Sequence, residues 1–163
     1  QLVAPKWDNQ QFESVVWPTE KSRYPGMKFS TEEFAQAVVA EVEKRHRLDT
    51  NHVFTLAWSS GGPAAYAISL DPKTRVTGTF VAMSVFKPEQ LPDLKFAQGR
   101  AFYLLHSPED FIPMRFPEQA RDILQQNGAV VRLQTYKGGH GWRGNVYGMI
   151  RAGFGWLEAR GRD

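Results

Sequence analysis

The sequence predicts an α/β fold in which a mostly parallel sheet is flanked by helices. Three observations carry this. Runs of β-branched, aromatic and large apolar residues recur at 53–56, 76–85, 101–105 and 130–136, and each reads as a buried strand. Helix-compatible stretches alternate with them at 30–47, 63–70, 116–126 and 145–160. Such alternation needs crossover connections, hence parallel pairing and a sheet covered on both faces. Breakers stand between the elements: Asp71-Pro72-Lys73, a proline-rich link at 87–99, and Asn127-Gly128 as a helix stop.

At 163 residues the chain is expected to form one domain with a substantial core. Hydrophobic residues make up 42% and charged residues 23%, an ordinary globular balance. The formal charge of +3, from 20 basic and 17 acidic residues, is spread along the chain, with Arg160-Gly161-Arg162 the nearest thing to a cluster. A nucleic-acid surface would gather its basic residues on one face, so none is expected. No apolar run approaches the roughly 20 residues of a membrane span. The absence of cysteine excludes disulfides, thiol nucleophiles and thiolate metal sites.

Taken in order, Leu2, Val3 and Ala4 read as the end of a short strand stopped by Pro5. Residues 6–29 read as a long loop, with a short element at 12–16. Ser30 opens a helix: with Glu33 three residues on it makes a capping box. Phe34, Val38 and Val42 then form one apolar stripe, and Lys44, Arg45 and Arg47 are placed to suit the negative end of the helix dipole.

The stretch 53–62, Val-Phe-Thr-Leu-Ala-Trp-Ser-Ser-Gly-Gly, organises the rest. Strand, serine turn and helix form a nucleophile elbow, small-x-Ser-x-Gly, here Ala57-Trp58-Ser59-Ser60-Gly61. The small residues on either side of the serine are expected because the turn is strained and neighbouring backbone comes close. Taking Ser60 as nucleophile would put Trp58 where a small residue is needed, so Ser59 is the candidate.

A serine needs a histidine to take its proton and a carboxylate to orient that imidazole, and ligands of parallel sheets gather beyond the strands' carboxyl ends. His46 and His52 lie at the wrong end and read as solvent-facing; His106, at a strand's carboxyl end, reads as a pocket or packing residue. His140 follows the last strand between glycines in Lys137-Gly138-Gly139-His140-Gly141 and is the candidate base. The acid is sought in the turn after the third strand, where Asp110 is preferred and Glu109 is the alternative.

These residues resemble the α/β-hydrolase superfamily, with its order Ser, Asp, His. The resemblance covers about residues 30–160 and is carried by the capped helix, the elbow Ala57-Trp58-Ser59-Ser60-Gly61-Gly62, the turn His106-Ser107-Pro108-Glu109-Asp110-Phe111-Ile112-Pro113 and the loop Gly138-Gly139-His140-Gly141-Trp142. Within the superfamily it resembles the esterase families that include polyhydroxybutyrate depolymerases, feruloyl esterases and phospholipase/carboxylesterase-type predicted esterases.

The resemblance implies Ser59 as nucleophile, Asp110 as acid and His140 as base, with the backbone N–H of Ser60 as one oxyanion donor. It implies a carboxylic ester substrate, small or polymeric, and no metal or organic cofactor. A prolyl-oligopeptidase-type peptidase domain and a catalytically silent binding domain are the alternatives. Trp58 and Trp142 flank the candidate site and read equally as pocket lining or packing. The family's second oxyanion donor follows an earlier strand, in a His-Gly loop that this sequence does not contain before the elbow. The expectation is therefore either the C-terminal portion of a longer chain, lacking the N-terminal strands of the sheet, or an opening segment that substitutes for them.

Overall fold

The structure, a computed structural model, describes residues 17–23 and 25–160; the expected elements at 2–4 and 12–16 lie outside these. Four parallel strands, β1 (Phe54–Trp58), β2 (Gly78–Ala82), β3 (Ala101–His106) and β4 (Val130–Thr135), form one sheet in the order β1-β2-β3-β4. The helices are α1 (Thr31–Glu43), α2 (Gly62–Leu70), α3 (Arg115–Gln126) and α4 (Val146–Arg160). The proline-rich link holds two short 3-10 turns, Pro88–Gln90 and Leu94–Ala97.

Side-chain alternation divides the sheet between two cores. Phe102 and Leu104 of β3 and Val81 of β2 face α2 and α3, meeting Tyr66, Leu70, Ala120 and Leu124. Ala101, Tyr103 and Leu105, with Phe80 and Ala82, face α4, meeting Leu157. Every residue of β2 and β3 is buried, and burying a side chain such as Phe80 or Phe102 contributes roughly 1.5–3 kcal/mol. At the edge, Leu56 and Trp58 of β1 remain 41% and 44% exposed.

The capping box on α1 is present in full: Ser30 Oγ accepts the Glu33 N–H and the Glu33 carboxylate accepts the Ser30 N–H. Two expectations for this helix are corrected. It ends at Glu43, so no basic residue lies in its last turn; Lys44 and Arg45 instead pair with Glu41. Phe34, Val38 and Val42 do share a face, but that face is 38–42% exposed. The residues α1 buries are Thr31 and Glu32, because its first turn carries the segment before it. The Pro18 carbonyl accepts from both the N–H and the hydroxyl of Thr31, and Glu32 Oε1 accepts the Glu20 N–H. His52 is likewise tied down, with Nδ1 2.6 Å from an Asp49 oxygen and Nε2 3.2 Å from the Glu158 carbonyl.

Candidate active site

Ser59 leaves β1 in a 3-10 turn, Ser59–Gly61, that runs directly into α2. Its φ is 52°, left-handed backbone that an L side chain enters at a cost of about 1–2 kcal/mol. This kink lifts its hydroxyl beyond the strand's carboxyl end. The small residues around it act differently from the motif's expectation. A Cβ on Gly61 would meet Ala57 Cβ at 3.5 Å, ordinary contact, whereas one on Gly62 would overlap the Ser84 side chain. The close approach is thus made one residue later, where the first turn of α2 passes over the end of β2.

Ser59 Oγ lies 3.0 Å from His140 Nε2, and His140 Nδ1 lies 2.9 and 3.0 Å from the two oxygens of Asp110. Asp110 offers only acceptors to that nitrogen, so Nδ1 carries the proton and Nε2 is left to accept from Ser59. The Asp110 side chain is fully buried and that of His140 is 19% exposed. The carboxylate is not left on one partner: Oδ1 also accepts the Ile112 N–H at 2.8 Å. Glu109, the alternative acid, is exposed on the same turn.

The turn and the histidine loop are stitched together. Buried Ser107 Oγ accepts the N–H groups of Glu109 and Gly139, each at 3.1 Å. The Tyr136 hydroxyl is 2.6 Å from the Gly139 carbonyl and 2.9 Å from that of Gly141, bracketing His140 with its proton. Burial, and then the nearby Asp110 charge, raise the Tyr136 pKa, so the phenol stays a donor. His106, fully buried, donates from Nε2 to the Ile112 carbonyl at 2.7 Å and so holds the far end of the acid turn.

Two rings lie against the imidazole: Phe111 with centroids 4.4 Å apart and Trp58 at 5.8 Å. Trp142 packs elsewhere, its ring edge-on to Phe80 in the α4-side core. Trp17 comes from the opening loop to set its indole nitrogen 3.7 Å from where a Gly61 Cβ would stand. Ser60 lies in the 3-10 turn that leads into α2 and is exposed. Phe111, Tyr136, Ser107 and Trp17 were not singled out from sequence. Only Phe111 carried a local signal, an apolar residue next to the candidate acid. Among the described residues no group of three or more His, Asp or Glu side chains is arranged to hold a metal, and no helix is long and apolar enough to cross a membrane.

The four-stranded parallel sheet with helices on both faces makes this the α/β-hydrolase fold. No protein-family model and no curated protein matches the sequence. Among solved structures, MGS-M1, an α/β-hydrolase enzyme from a Medee basin deep-sea metagenome library, is similar with a TM-score of 0.67 at 14% identity, over 89% of this chain and 69% of that one. Arabidopsis thaliana SOBER1 is similar at 22% identity with a TM-score of 0.60, over 88% of this chain and 67% of that one. A Bacillus cereus carboxylesterase shares 18% identity with a TM-score of 0.62, over 80% of this chain and 59% of that one.

Proposed function

We propose that this chain carries the nucleophile, base and acid of a serine hydrolase that cleaves carboxylic esters. The observation that supports it is the unbroken hydrogen-bonded series from Ser59 Oγ through the His140 ring to a buried Asp110 carboxylate. Ser59 Oγ attacks the ester carbonyl while His140 Nε2 takes the hydroxyl proton. Asp110 holds the ring in the reactive tautomer and offsets the charge that develops on it. The negative charge on the carbonyl oxygen is met by the Ser60 N–H.

Collapse of the tetrahedral intermediate expels the alcohol, which takes its proton from His140. Water then attacks the acyl-enzyme with His140 again as base, releasing the acid and restoring Ser59. Phe111 and Trp58, both exposed and both against His140, are placed to flank the acyl or alcohol portion.

A fluorophosphonate probe tests this reading on the full-length protein. Stoichiometric labelling that is lost in Ser59→Ala is the expected result, and no labelling of the wild type would sink it. Parallel panels of esters and prolyl peptides then decide between an esterase and a peptidase; faster ester turnover is expected.

A further inference from the structure

Ser59 is not alone in its backbone conformation. Among the described residues the other non-glycine with positive φ is Met83, at 50°. The two stand side by side, since Trp58 ends β1 opposite Ala82, which ends β2. Each is therefore the first residue past the carboxyl end of its strand. For Ser59 the kink exposes a hydroxyl. Met83 is completely buried and presents nothing to a substrate, so its unfavourable backbone needs another reason.

The reason lies in what the two side chains of this turn reach. Met83 Sδ accepts the N–H of Gly141, the residue after His140, at 3.1 Å. The next residue, Ser84, donates its hydroxyl to the carbonyl of Ser59 itself at 2.6 Å; its other acceptor, the Val85 carbonyl, is at 3.4 Å. The turn is in turn fixed to the sheet by the Met83 N–H donating to the Leu105 carbonyl at 2.8 Å. A right-handed Met83 would carry the chain off along a different course and break this pair of contacts.

We propose that Met83 and Ser84 form a brace of positioning residues, Met83 setting the loop that carries His140 and Ser84 setting the backbone of Ser59. The brace fixes the distance between Ser59 Oγ and His140 Nε2 from a third element that neither residue belongs to. This rests on the reading of Ser59 as nucleophile and His140 as base. Neither side chain touches the substrate, so substrate affinity is untouched while the transfer geometry depends on both.

Met83→Leu keeps the volume and removes the acceptor; Ser84→Ala removes the donor without adding bulk beside Gly62. Both are compared with the full-length wild type for thermal midpoint, for the kcat and KM of ester hydrolysis, for the rate of fluorophosphonate labelling and for hydrogen exchange at the Gly141 amide. Slower labelling and a fall in kcat of about 10- to 100-fold, with KM and thermal midpoint little changed, are expected in each variant. Gly141 exchange is expected to quicken at least about tenfold in Met83→Leu alone. Wild-type kcat and labelling rate in both variants would overturn the brace. If the wild type itself is not labelled, the hydrolase reading falls, and Gly141 exchange then decides whether Met83 holds the loop: no change between wild type and Met83→Leu overturns that too.

Discussion

The Ser84 side chain fills the space that a side chain on Gly62 would need: a Gly62 Cβ would project onto the Ser84 hydroxymethyl group, and Val81 Cγ1 stands 3.1 Å from that position. The first turn of α2 can sit over the end of β2 only because residue 62 has no side chain. Gly62→Ala is therefore expected to cost about 1–3 kcal/mol through overpacking, whereas Gly61→Ala, whose Cβ meets Ala57 at 3.5 Å, is expected to cost less. Chemical denaturation of the two variants checks this order. Adding Ser84→Gly to Gly62→Ala is expected to recover part of the loss, a coupling that a double-mutant cycle measures.

Asp110 serves two groups at once, the His140 ring and the Ile112 N–H. In Asp110→Asn the amide oxygen can still take the Ile112 N–H, so the turn and its stability persist. The amide NH2 then faces His140 Nδ1 and demands an acceptor there, which moves the ring proton to Nε2 and removes the base. On the proposed mechanism turnover drops by about 10⁴-fold, while the thermal midpoint moves little. Ester kinetics and a melting curve on the same preparation test both halves. A variant that retains near wild-type turnover would remove Asp110 from the mechanism.

The strand and helix order was legible because residue type decides it locally: a run rich in β-branched residues at 76–85, an aromatic and leucine run at 101–105, a capping serine at 30, and Gly128, whose φ is 80°, as helix stop. Ser59, Asp110 and His140 could be picked out because each follows a strand, where a parallel sheet presents side chains to ligands. What was not legible depends on neighbours distant in sequence. Periodicity shows that Phe34, Val38 and Val42 share a face but not what covers it, and that face is over a third exposed. Nothing in Ala-Met-Ser-Val announces a left-handed Met83. The need for a residue without a side chain in the turn after β1 fell on Gly62 rather than Gly61 because the obstacle, Ser84, belongs to another strand end.

Glu32, next to the capping-box glutamate Glu33, is only 2% exposed, and its Oε2 has no hydrogen-bond partner among the described residues. Burial, outweighing the backbone N–H groups that its carboxylate accepts, raises its pKa. The folded state therefore binds this proton more tightly than the unfolded one. Its stability contribution is full below the ordinary carboxylate pKa of about 4.3, and it is lost as pH rises from there through the raised folded value. Glu32→Gln removes this titration while keeping an oxygen for the Glu20 N–H. The variant is expected to gain in thermal midpoint over the wild type at neutral pH, with the difference shrinking in acid. Melting curves from pH 3.5 to 8 measure it, and a gap that widens toward acid would reverse the sign.

Phe111 is more exposed than Trp58, the other ring beside His140, being 76% exposed with its ring 4.4 Å from the imidazole. A ring that gives up so little surface to the core adds little to folding, so Phe111→Ala is expected to change stability by no more than about 0.5 kcal/mol. Its contact with a substrate is another matter. An aromatic pair is worth about 0.5–1.5 kcal/mol beyond the area it buries, which predicts a rise in KM of about 2- to 10-fold for esters of aromatic acids. For short aliphatic esters, which do not extend to the ring, KM should hardly move. Trp58→Ala, at 44% exposure and 5.8 Å from the imidazole, provides the comparison from the second ring beside His140. If Phe111→Ala raises KM equally for both ester classes, the ring is not reading the substrate, and its effect runs through the placement of His140.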